Sequence, residues 1–176
     1  MKRQLFQLSI STPDGQFIAR YSTKGLAELK FPANGGADLP VGQDARQRVP
    51  TSVANKIPTQ ILRSHRKTAA ALKNALAGRP AKNLPPLDLS AGTKFQIRVW
   101  NALQKISTGR TKSYSEIAQA VGQPKAVRAV GGACGANPVP VLVPCHRVLA
   151  AHGKIGGFGG GLDWKRKLLR REGVEA

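Results

Sequence analysis

The most apolar stretch of this 176-residue chain, PVPVLVPCHRVL at positions 138–149, contains three prolines. A proline lacks the backbone N–H that a strand needs for its ladder, so Pro138, Pro140 and Pro144 argue against a regular central β-strand. We expect residues 139–143 to form a buried extended segment, after which the chain turns inward at Cys145.

Cys145 stands at the end of this segment, beside His146. A cysteine in such a place is more often an inert buried side chain than a reactive one, because a thiol must lose its proton to act as a nucleophile. Its ordinary pKa of about 8.5 falls near a cation, a histidine or a helix N-terminus. Adjacent side chains usually diverge, so the sequence leaves open whether His146 contacts the thiol.

The chain carries a formal net charge of +19, from 28 lysines and arginines against 9 acidic residues. Such a charge favours a polyanionic partner, DNA or RNA, over the alternative of a solvated basic surface that only aids solubility. Both halves of the chain are about equally basic, so the charge does not indicate which half binds.

The apolar content of 41% predicts a globular protein. The chain has only two cysteines and no zinc-like spacing of cysteine and histidine, which predicts a reduced, intracellular protein without a metal or another cofactor. No run is long enough to cross a membrane, and the N-terminus lacks the apolar core of a signal peptide. We expect a cytoplasmic, nucleoid-associated monomer, nuclear if the source is eukaryotic, that makes no membrane contact.

The first half predicts a small β-sheet followed by a helix. Alternating apolar positions on both sides of the turn signal Thr12–Gly15 predict three strands. These strands are 4–10, 16–21 and 26–31. Residues 32–57 are rich in Gly, Pro, Asn and Gln and predict a long connection. Apolar positions at helical spacing then predict a helix over residues 59–77.

A proline-rich linker at residues 83–87 predicts a domain boundary. We expect an α/β fold with an N-terminal α/β domain at 1–84 and a mostly helical C-terminal domain at 85–176. Thr93 caps the first helix of the second domain. The apolar face of that helix is Phe95, Val99, Leu103 and Ile106.

Residues 114–135 have the pattern of a helix-turn-helix. Ser113 and the glutamate three positions later form a capping box that opens a short helix, and Gly122 ends it. Pro124 suits the first turn of a second helix that runs to about Cys134. The pattern alone is moderately specific, since many helical hairpins share it.

The second of these helices places Val127, Val130 and Cys134 on one apolar face. Cys134 is most simply a small buried hydrophobe. The other faces carry Lys125 and Arg128 among alanine and glycines. So bare a surface predicts close approach of another backbone, either a DNA strand or a neighbouring helix.

The last predicted helix, 163–172, turns Trp164, Leu168 and Glu172 inward and leaves basic residues such as Lys165 outside. An acid near a helix C-terminus opposes the macrodipole, so Glu172 needs a partner. A histidine would complete a Cys–His–Glu arrangement of nucleophile, base and orienting group. A salt bridge within the same helix is the alternative.

The glycine-rich loop at 153–161 precedes this helix and predicts backbone N–H groups that face a ligand. It lacks the Gly-Lys-Ser/Thr of a Walker loop. Its aromatic residue, Phe158, could stack on a base.

Several segments resemble signatures of one protein family, in the same order along the chain. Residues 144–148, PCHRV, resemble the active-site motif of the O6-alkylguanine-DNA alkyltransferases, also called methylated-DNA–protein-cysteine methyltransferases. The other matching segments are 92–103, 113–114, 128–133, 137–138 and 172–173. The resemblance covers about residues 85–173, and residues 1–31 are similar in character to the N-terminal strands of the family.

The resemblance implies a DNA repair protein that is used once. A methyl or larger alkyl group would pass irreversibly from O6 of guanine, and from O4 of thymine, in double-stranded DNA to Cys145. His146, oriented by Glu172, would deprotonate the thiol through a water. Tyr114 would protonate the leaving guanine, and Asn137 would hold the helix-turn-helix against the active site.

The resemblance also implies that the helix-turn-helix binds the minor groove and that the damaged guanine is flipped out, with Arg128 filling the gap. Further implied DNA contacts are Tyr114, Ser115, Gln123, Gln96, Lys125, Ala126 and Gly131. The carbonyls of Cys145 and Val148 would accept from the guanine amino group, and the Gly159 N–H would face its O6. The implied substrate pocket is Pro140, Val148, Phe158 and Gly159.

The chain departs from some relatives at two pocket positions, with Phe158 in place of tyrosine and Gly159 in place of serine. It has no cysteine in the N-terminal half, so we expect no zinc site of the kind that some relatives have there. The alternatives are an alkyltransferase-like protein that binds lesions, a helix-turn-helix regulator and a cysteine hydrolase. The first would lack the cysteine, the second would not need it, and the third would turn over repeatedly.

Overall fold

The structure, a computed structural model, describes residues 4–32 and 57–175. Three antiparallel strands open the chain in the spatial order β1–β2–β3. Their bounds are Phe6–Thr12 for β1, Gly15–Ser22 for β2 and Gly25–Lys30 for β3. The three predicted strands are thus confirmed, and the predicted connection at 32–57 lies almost wholly outside the described residues.

Helix α1, Thr59–Leu76, follows this sheet and packs against β1 and β3, as the helical spacing predicted. Its buried face includes Ile61, Leu72 and Leu76. Tyr21 of β2 is fully buried, and its hydroxyl lies 3.0 Å from Nδ1 of His65 on the helix.

The second half contains four helices and a two-strand parallel sheet within the described residues. The helices are α2 Lys94–Leu103, α3 Tyr114–Ala120, α4 Val127–Gly135 and α5 Leu162–Arg171. The strands are β4 Lys112–Ser113 and β5 Val148–Leu149. The predicted capping box of Ser113 with Glu116 forms, and Thr93 caps its helix as predicted, so each helix begins where the sequence indicated. Thr93 also forms a capping box with Gln96, which we did not predict from the sequence. Ile106 is buried but lies beyond the end of α2.

The turn between α3 and α4 differs from the prediction. Gly122 has a φ of +73° and reverses the chain, as expected of a glycine after a helix. A second turn then closes with the Ala126 N–H donating to the Gln123 carbonyl, so α4 begins at Val127 and not at Pro124. Val127 is consequently 37% exposed, and the buried face of α4 is Val130, Ala133 and Cys134.

Residues 139–143 form a tight turn, so the prediction of an extended segment is wrong. Val141 has a φ of +73°, and the Val143 N–H donates to the Val139 carbonyl at 2.9 Å. Asn137 stabilises this turn from inside, because its Oδ1 accepts from Val139 N at 3.0 Å and its Nδ2 donates to Val143 O at 2.7 Å. The expected burial is confirmed.

One hydrophobic core runs through both halves, from Leu8 in β1 to Leu168 in α5. Backbone hydrogen bonds also join the halves, since Leu26 N donates to Pro86 O and Leu29 N donates to Pro138 O, both at 2.8 Å. Strand β3 therefore lies directly beside the segment that leads to Cys145. Among the described residues, no helix combines the length and apolarity that crossing a bilayer requires.

Candidate active site

Cys145 is the first residue of a 3₁₀ turn, Cys145–Arg147, and is 5% exposed. Asn137 Nδ2 lies 3.1 Å from its Sγ atom, so the side chain that stabilises the 139–143 turn also contacts the thiol. Burial raises the pKa of Cys145, and the Asn137 hydrogen bond and the charge of Lys165 offset part of that effect. A thiol with a raised pKa needs a base before it can act as a nucleophile.

His146 follows directly and faces Glu172. Its Nε2 lies 3.0 Å from Glu172 Oε1, and the two side chains are only 1% and 2% exposed. Burial raises the pKa of Glu172, but the hydrogen bonds from His146 and Arg147 outweigh it and lower that pKa to about 2. Glu172 is therefore a carboxylate that can only accept, so His146 carries its proton on Nε2. The predicted pairing of Glu172 with a histidine is confirmed.

The other ring nitrogen of His146 then has a lone pair to offer. Burial lowers the pKa of His146, and the Glu172 carboxylate offsets this only in part, so the ring is neutral near pH 7. Nδ1 is buried and has no hydrogen-bond partner among the described residues. No direct hydrogen bond joins it to Cys145 Sγ within residues 4–32 and 57–175. Nδ1 is therefore able to accept a proton.

Arg147 also holds Glu172, a role that the sequence did not reveal. Its Nε donates to Oε2 and its Nη2 to Oε1 of Glu172, each at 2.9 Å. The same guanidinium donates to Ile106 O at 2.6 Å and to Thr108 Oγ1 at 3.1 Å. The sequence could have indicated this role, because a buried glutamate needs a cation and Arg147 lies within the PCHRV motif, next to His146.

Lys165 is fully buried, so its predicted position on the outer face of the last helix is wrong. Its Nζ donates to the Val148 carbonyl at 2.7 Å and to the Gly157 carbonyl at 3.3 Å. Two carbonyls thus accept hydrogen bonds from this buried ammonium group. One residue in the sequence did indicate that Lys165 is buried. Leu169 is apolar and lies four positions after Lys165, so the two share a helix face and the inner face includes Lys165.

Two cavities meet at Cys145. We name them after the nucleobase and the alkyl group that the family resemblance implies. The first, of about 430 Å³, is the base-side cavity, which Tyr114, Gly131 and Gly157 line. The second, of about 400 Å³, is the alkyl-side cavity, which Pro140 and part of β3 line. The residues that line both are Cys134, Gly135, Cys145, Phe158 and Gly159. A group bound in one cavity can therefore have its substituent in the other, with the thiol between them.

The predicted substrate-pocket residues divide into two sets. Pro140, Phe158 and Gly159 line the cavities. Val148 is fully buried, and its carbonyl already accepts from Lys165. The Cys145 carbonyl likewise accepts from the Val148 N–H. Because a carbonyl has two lone pairs, each can accept one further bond.

Tyr114 begins α3 and lines the base-side cavity. Strands β4 and β5 position it, because Ser113 pairs with Leu149 a few residues after Cys145. Burial raises the pKa of Tyr114, and negative charge on Cys134 or Cys145 would raise it further. The hydroxyl is therefore protonated at neutral pH and able to donate.

Most predicted DNA-contact residues lie on the surface of α3, α4 and their turn. The exposed ones are Ser115, Gln123, Lys125 and Arg128, with Ala126 half-buried beside them. Gly131, on the same helix as Arg128, reaches the base-side cavity. Gln96 lies apart at the start of α2, where its Oε1 accepts from the Thr93 N–H at 2.9 Å. No group of three potential metal ligands occurs among the described residues.

Fold and site together define an α/β protein in which a helix-turn-helix adjoins a buried cysteine with a His–Glu pair. Residues 94–174 match the family described as 6-O-methylguanine DNA methyltransferase, DNA binding domain. The chain is 36% identical to the Mycobacterium tuberculosis OGT solved in complex with DNA, over 93% of this chain and 90% of that one, with a TM-score of 0.69. The chain belongs to the O6-methylguanine-DNA methyltransferase family.

Curated relatives are more similar over a shorter span. The methylated-DNA–protein-cysteine methyltransferase of Mycolicibacterium paratuberculosis is 58% identical over 86 residues, which are 49% of this chain and 52% of the relative. The protein of the same name from Methanosarcina acetivorans is 55% identical over 82 residues, 47% of this chain and 53% of the relative. These matches span about half the length of the curated relatives.

Proposed function

We propose that this protein repairs double-stranded DNA by moving a methyl or larger alkyl group from O6 of guanine, and from O4 of thymine, to Cys145. The observation that carries the proposal is the His146–Glu172 pair. It fixes the proton on Nε2 and leaves the lone pair of Nδ1 free, one residue along the chain from a buried thiol that lines two cavities. A regulator that only binds DNA would need neither group.

In this mechanism the Cys145 thiol gives its proton, through a water, to His146 Nδ1. The thiolate attacks the alkyl carbon, a C–S bond forms and the bond from that carbon to O6 breaks. The electron pair stays on the guanine, which takes a proton from the Tyr114 hydroxyl as it leaves. The thioether has no route back to a thiol, so each molecule acts once and needs no cofactor.

The neighbouring side chains serve this transfer. Asn137 Nδ2 stabilises the developing thiolate through its contact with Sγ. Lys165 adds a positive charge and holds the Val148 carbonyl, whose second lone pair accepts from the guanine amino group. Gly159, whose backbone lies between the cavities, offers its N–H to O6.

Access to the base requires that the guanine leave the duplex. The helix-turn-helix binds the minor groove through Ser115, Gln123, Lys125 and Ala126, and Arg128 fills the gap that the flipped base leaves. Tyr114 and Gly131 line the cavity that receives the base, and Gln96 adds a backbone contact. The net charge of +19 supplies the general attraction to phosphate. We place this activity on cytoplasmic, nucleoid-associated DNA.

The deciding experiment measures intact mass after incubation with a duplex that contains one O6-methylguanine. We expect the mass of one methyl per protein molecule, no further turnover, and peptide mapping of that methyl to Cys145. Cys134→Ala is the matched control, because burial raises the pKa of Cys134 to about 12 and so makes it a poor nucleophile. Methyl on Cys134, transfer by Cys145→Ala, or repeated turnover would each contradict the proposal.

A further inference from the structure

The turn between β1 and β2 contacts the last helix of the chain. Asp14 Oδ2 and Oδ1 accept from Nη1 and Nη2 of Arg171 at 2.6 and 2.9 Å, and Lys167 Nζ lies 2.7 Å from Oδ1. The Asp14 side chain is only 5% exposed. Burial raises the pKa of Asp14, but the hydrogen bonds from Arg171 and Lys167 outweigh it and lower that pKa. Asp14 is therefore a carboxylate that two cations of α5 hold at the end of that helix.

The end of α1 contacts the same residue of α5. Arg171 Nη1 also donates to the carbonyl of Leu76, the last residue of α1, at 2.8 Å. Gly78 lies against the backbone of Arg171, because a Cβ at this glycine would overlap the Arg171 carbonyl. Its φ of +70° is a second reason for glycine at this position. The N-terminal half of the chain thus holds Arg171 by both its side chain and its backbone.

Glu172 is the next residue along the chain, and its side chain lies on the inner side of α5. Its Oε1 lies 3.0 Å from His146 Nε2, and its Oε2 accepts from the Gly109 N–H at 3.3 Å. Helix α5 ends at Arg171, so the position of the Glu172 backbone follows from that of Arg171. If this helix end moved outward by about 1 Å, the contact between Glu172 and His146 would exceed the length of a hydrogen bond.

We propose that Asp14 is a positioning residue for the active site. Through Arg171 it holds the end of α5 where Glu172 stays within hydrogen-bond distance of His146 and keeps the proton of that ring on Nε2. Asp14 lines neither cavity at Cys145, so it acts through α5 and not on a bound base. Its effect on the transfer rate rests on the proposed function, whereas its effect on the His146 tautomer can be measured without any substrate.

The first test measures the His146 tautomer by NMR of the ¹⁵N-labelled full chain, with the His146 ring signals identified by their loss in His146→Asn. We expect the proton on Nε2 in the unmodified protein. Asp14→Asn turns an NH₂ group toward a cation, so α5 should move outward and a second form with the proton on Nδ1 should appear. Asp163→Asn is the matched control, because Asp163 is fully exposed at the other end of α5. It should keep the unmodified spectrum.

The second test measures single-turnover rates with an O6-methylguanine duplex, at saturating protein and over a range of pH. We expect the plateau rate of Asp14→Asn to fall about tenfold, because the base is less well oriented. The midpoint of the acid limb should move to lower pH. Burial lowers the pKa of His146, and Glu172 offsets this only while it is in place, whereas Arg147 and Lys165 lower that pKa in both proteins. Affinity for an unmodified duplex should not change.

Two further variants separate positioning from stability. Ile61→Val removes a methyl group from the buried face of α1, at the opposite end of that helix from Leu76, and should lower the urea midpoint of unfolding. Its His146 tautomer, plateau rate and acid limb should match those of the unmodified protein. Asp14→Asn combined with Arg171→Gln should be no slower than the slower single variant, because both substitutions remove the same contact.

The outcomes separate this inference from the proposed function. No methyl transfer by the unmodified protein would overturn the proposed function, and the tautomer measurement would still decide the role of Asp14. An Asp14→Asn protein that keeps the unmodified His146 tautomer and acid limb would overturn the positioning role and leave the repair activity standing. Rate losses of Asp14→Asn and Arg171→Gln that multiply in the double variant would also overturn it, because the two residues would then act independently.

Discussion

His146 Nε2 and Glu172 Oε1 lie 3.0 Å apart in a site from which solvent is almost excluded. The carboxylate comes from the end of α5 and the histidine from the 3₁₀ turn after Cys145, so the pair joins two distant parts of the chain. Arg147 and the Gly109 N–H also donate to Glu172. One carboxylate therefore sets the histidine tautomer and closes the last helix against the active-site turn.

Replacing Glu172 by glutamine should reduce both activity and stability. The amide can present its NH₂ to His146, which would move the proton from Nε2 to Nδ1, and the buried Arg147 would lose its counter-charge. We expect methyl transfer to slow about 100-fold and the free energy of unfolding to fall by about 3 kcal/mol. Single-turnover rates and urea denaturation measure the two effects.

Glu175→Gln is the control for this substitution, because Glu175 is exposed three residues further along the chain. It should behave as the unmodified protein does. If Glu172→Gln transfers methyl at the normal rate, the orienting role assigned to Glu172 is wrong.

The rate should fall in acid as His146 becomes protonated. Burial lowers the pKa of His146 from its ordinary value of 6.5, so the midpoint of the acid limb should lie below pH 6.5. A pH series of single-turnover rates with a free O6-alkylguanine measures it without the salt effects of DNA binding. A midpoint above pH 6.5 would mean that Glu172 dominates over burial.

The stability of the folded protein should also fall as the pH decreases below 6.5. Unfolded chains bind a proton at histidine near pH 6.5, whereas folded His146 binds it at lower pH, so stability decreases as pH falls below 6.5. Glu172 adds to the loss further down, because its contribution is present above pH 4.5 and disappears as pH falls toward about 2. The free energy of unfolding at several pH values measures this, and in His146→Asn the loss near pH 6 should be smaller.

Local patterns account for what the sequence predicted correctly. The strands, the helix cap at Thr93, the capping box at Ser113 and the inward position of Glu172 depend on residues that are close together in the sequence. The errors arise from distant contacts. Lys165 is buried because two carbonyls near the active site accept from it, and the 139–143 turn forms around the Asn137 side chain. The position of Leu169 could have indicated that Lys165 faces inward, but no sequence pattern indicates which carbonyls accept from Lys165 or which groups Asn137 contacts.

Arg128→Ala should impair repair of duplex DNA far more than reaction with a free base. Unstacking a base costs a few kcal/mol, and Arg128 is proposed to fill the gap. Because the variant would no longer offset that cost, we expect its rate on duplex DNA to fall about tenfold or more. The rate with free O6-benzylguanine should change little. Arg63→Ala, on the exposed side of α1, is the control. Equal falls in both rates would make Arg128 structural.

Lys125 should act as a phosphate contact in the turn before α4. A lost phosphate contact lowers the slope of log affinity against log salt by about one and affects all sequences alike. We expect this change for Lys125→Ala in fluorescence anisotropy titrations over a range of salt concentrations. Lys67→Ala on α1 should leave the slope unchanged, and an unchanged slope for Lys125→Ala would remove that residue from the interface.

Gly160 and Phe31 should be energetically coupled. A Cβ at Gly160 would lie 2.5 Å from Phe31 Cε2, and Phe158 and Trp164 leave that ring little freedom to move. Gly160→Ala should therefore lower the free energy of unfolding by about 1–3 kcal/mol. Gly157→Ala is the control, because a Cβ there would meet nothing within 4 Å.

The coupling can be measured in a double-mutant cycle. Phe31→Leu shortens the side chain that the alanine Cβ of Gly160→Ala would contact. The loss of unfolding free energy in the double variant should therefore be smaller than the sum of the two single losses by at least about 0.5 kcal/mol. The larger Gly160→Trp should block benzyl transfer by displacing Phe31 into the alkyl-side cavity, and should lose stability as well. Additive single effects, or Gly160→Trp with full stability, would show that Phe31 does not occupy the space beside Gly160.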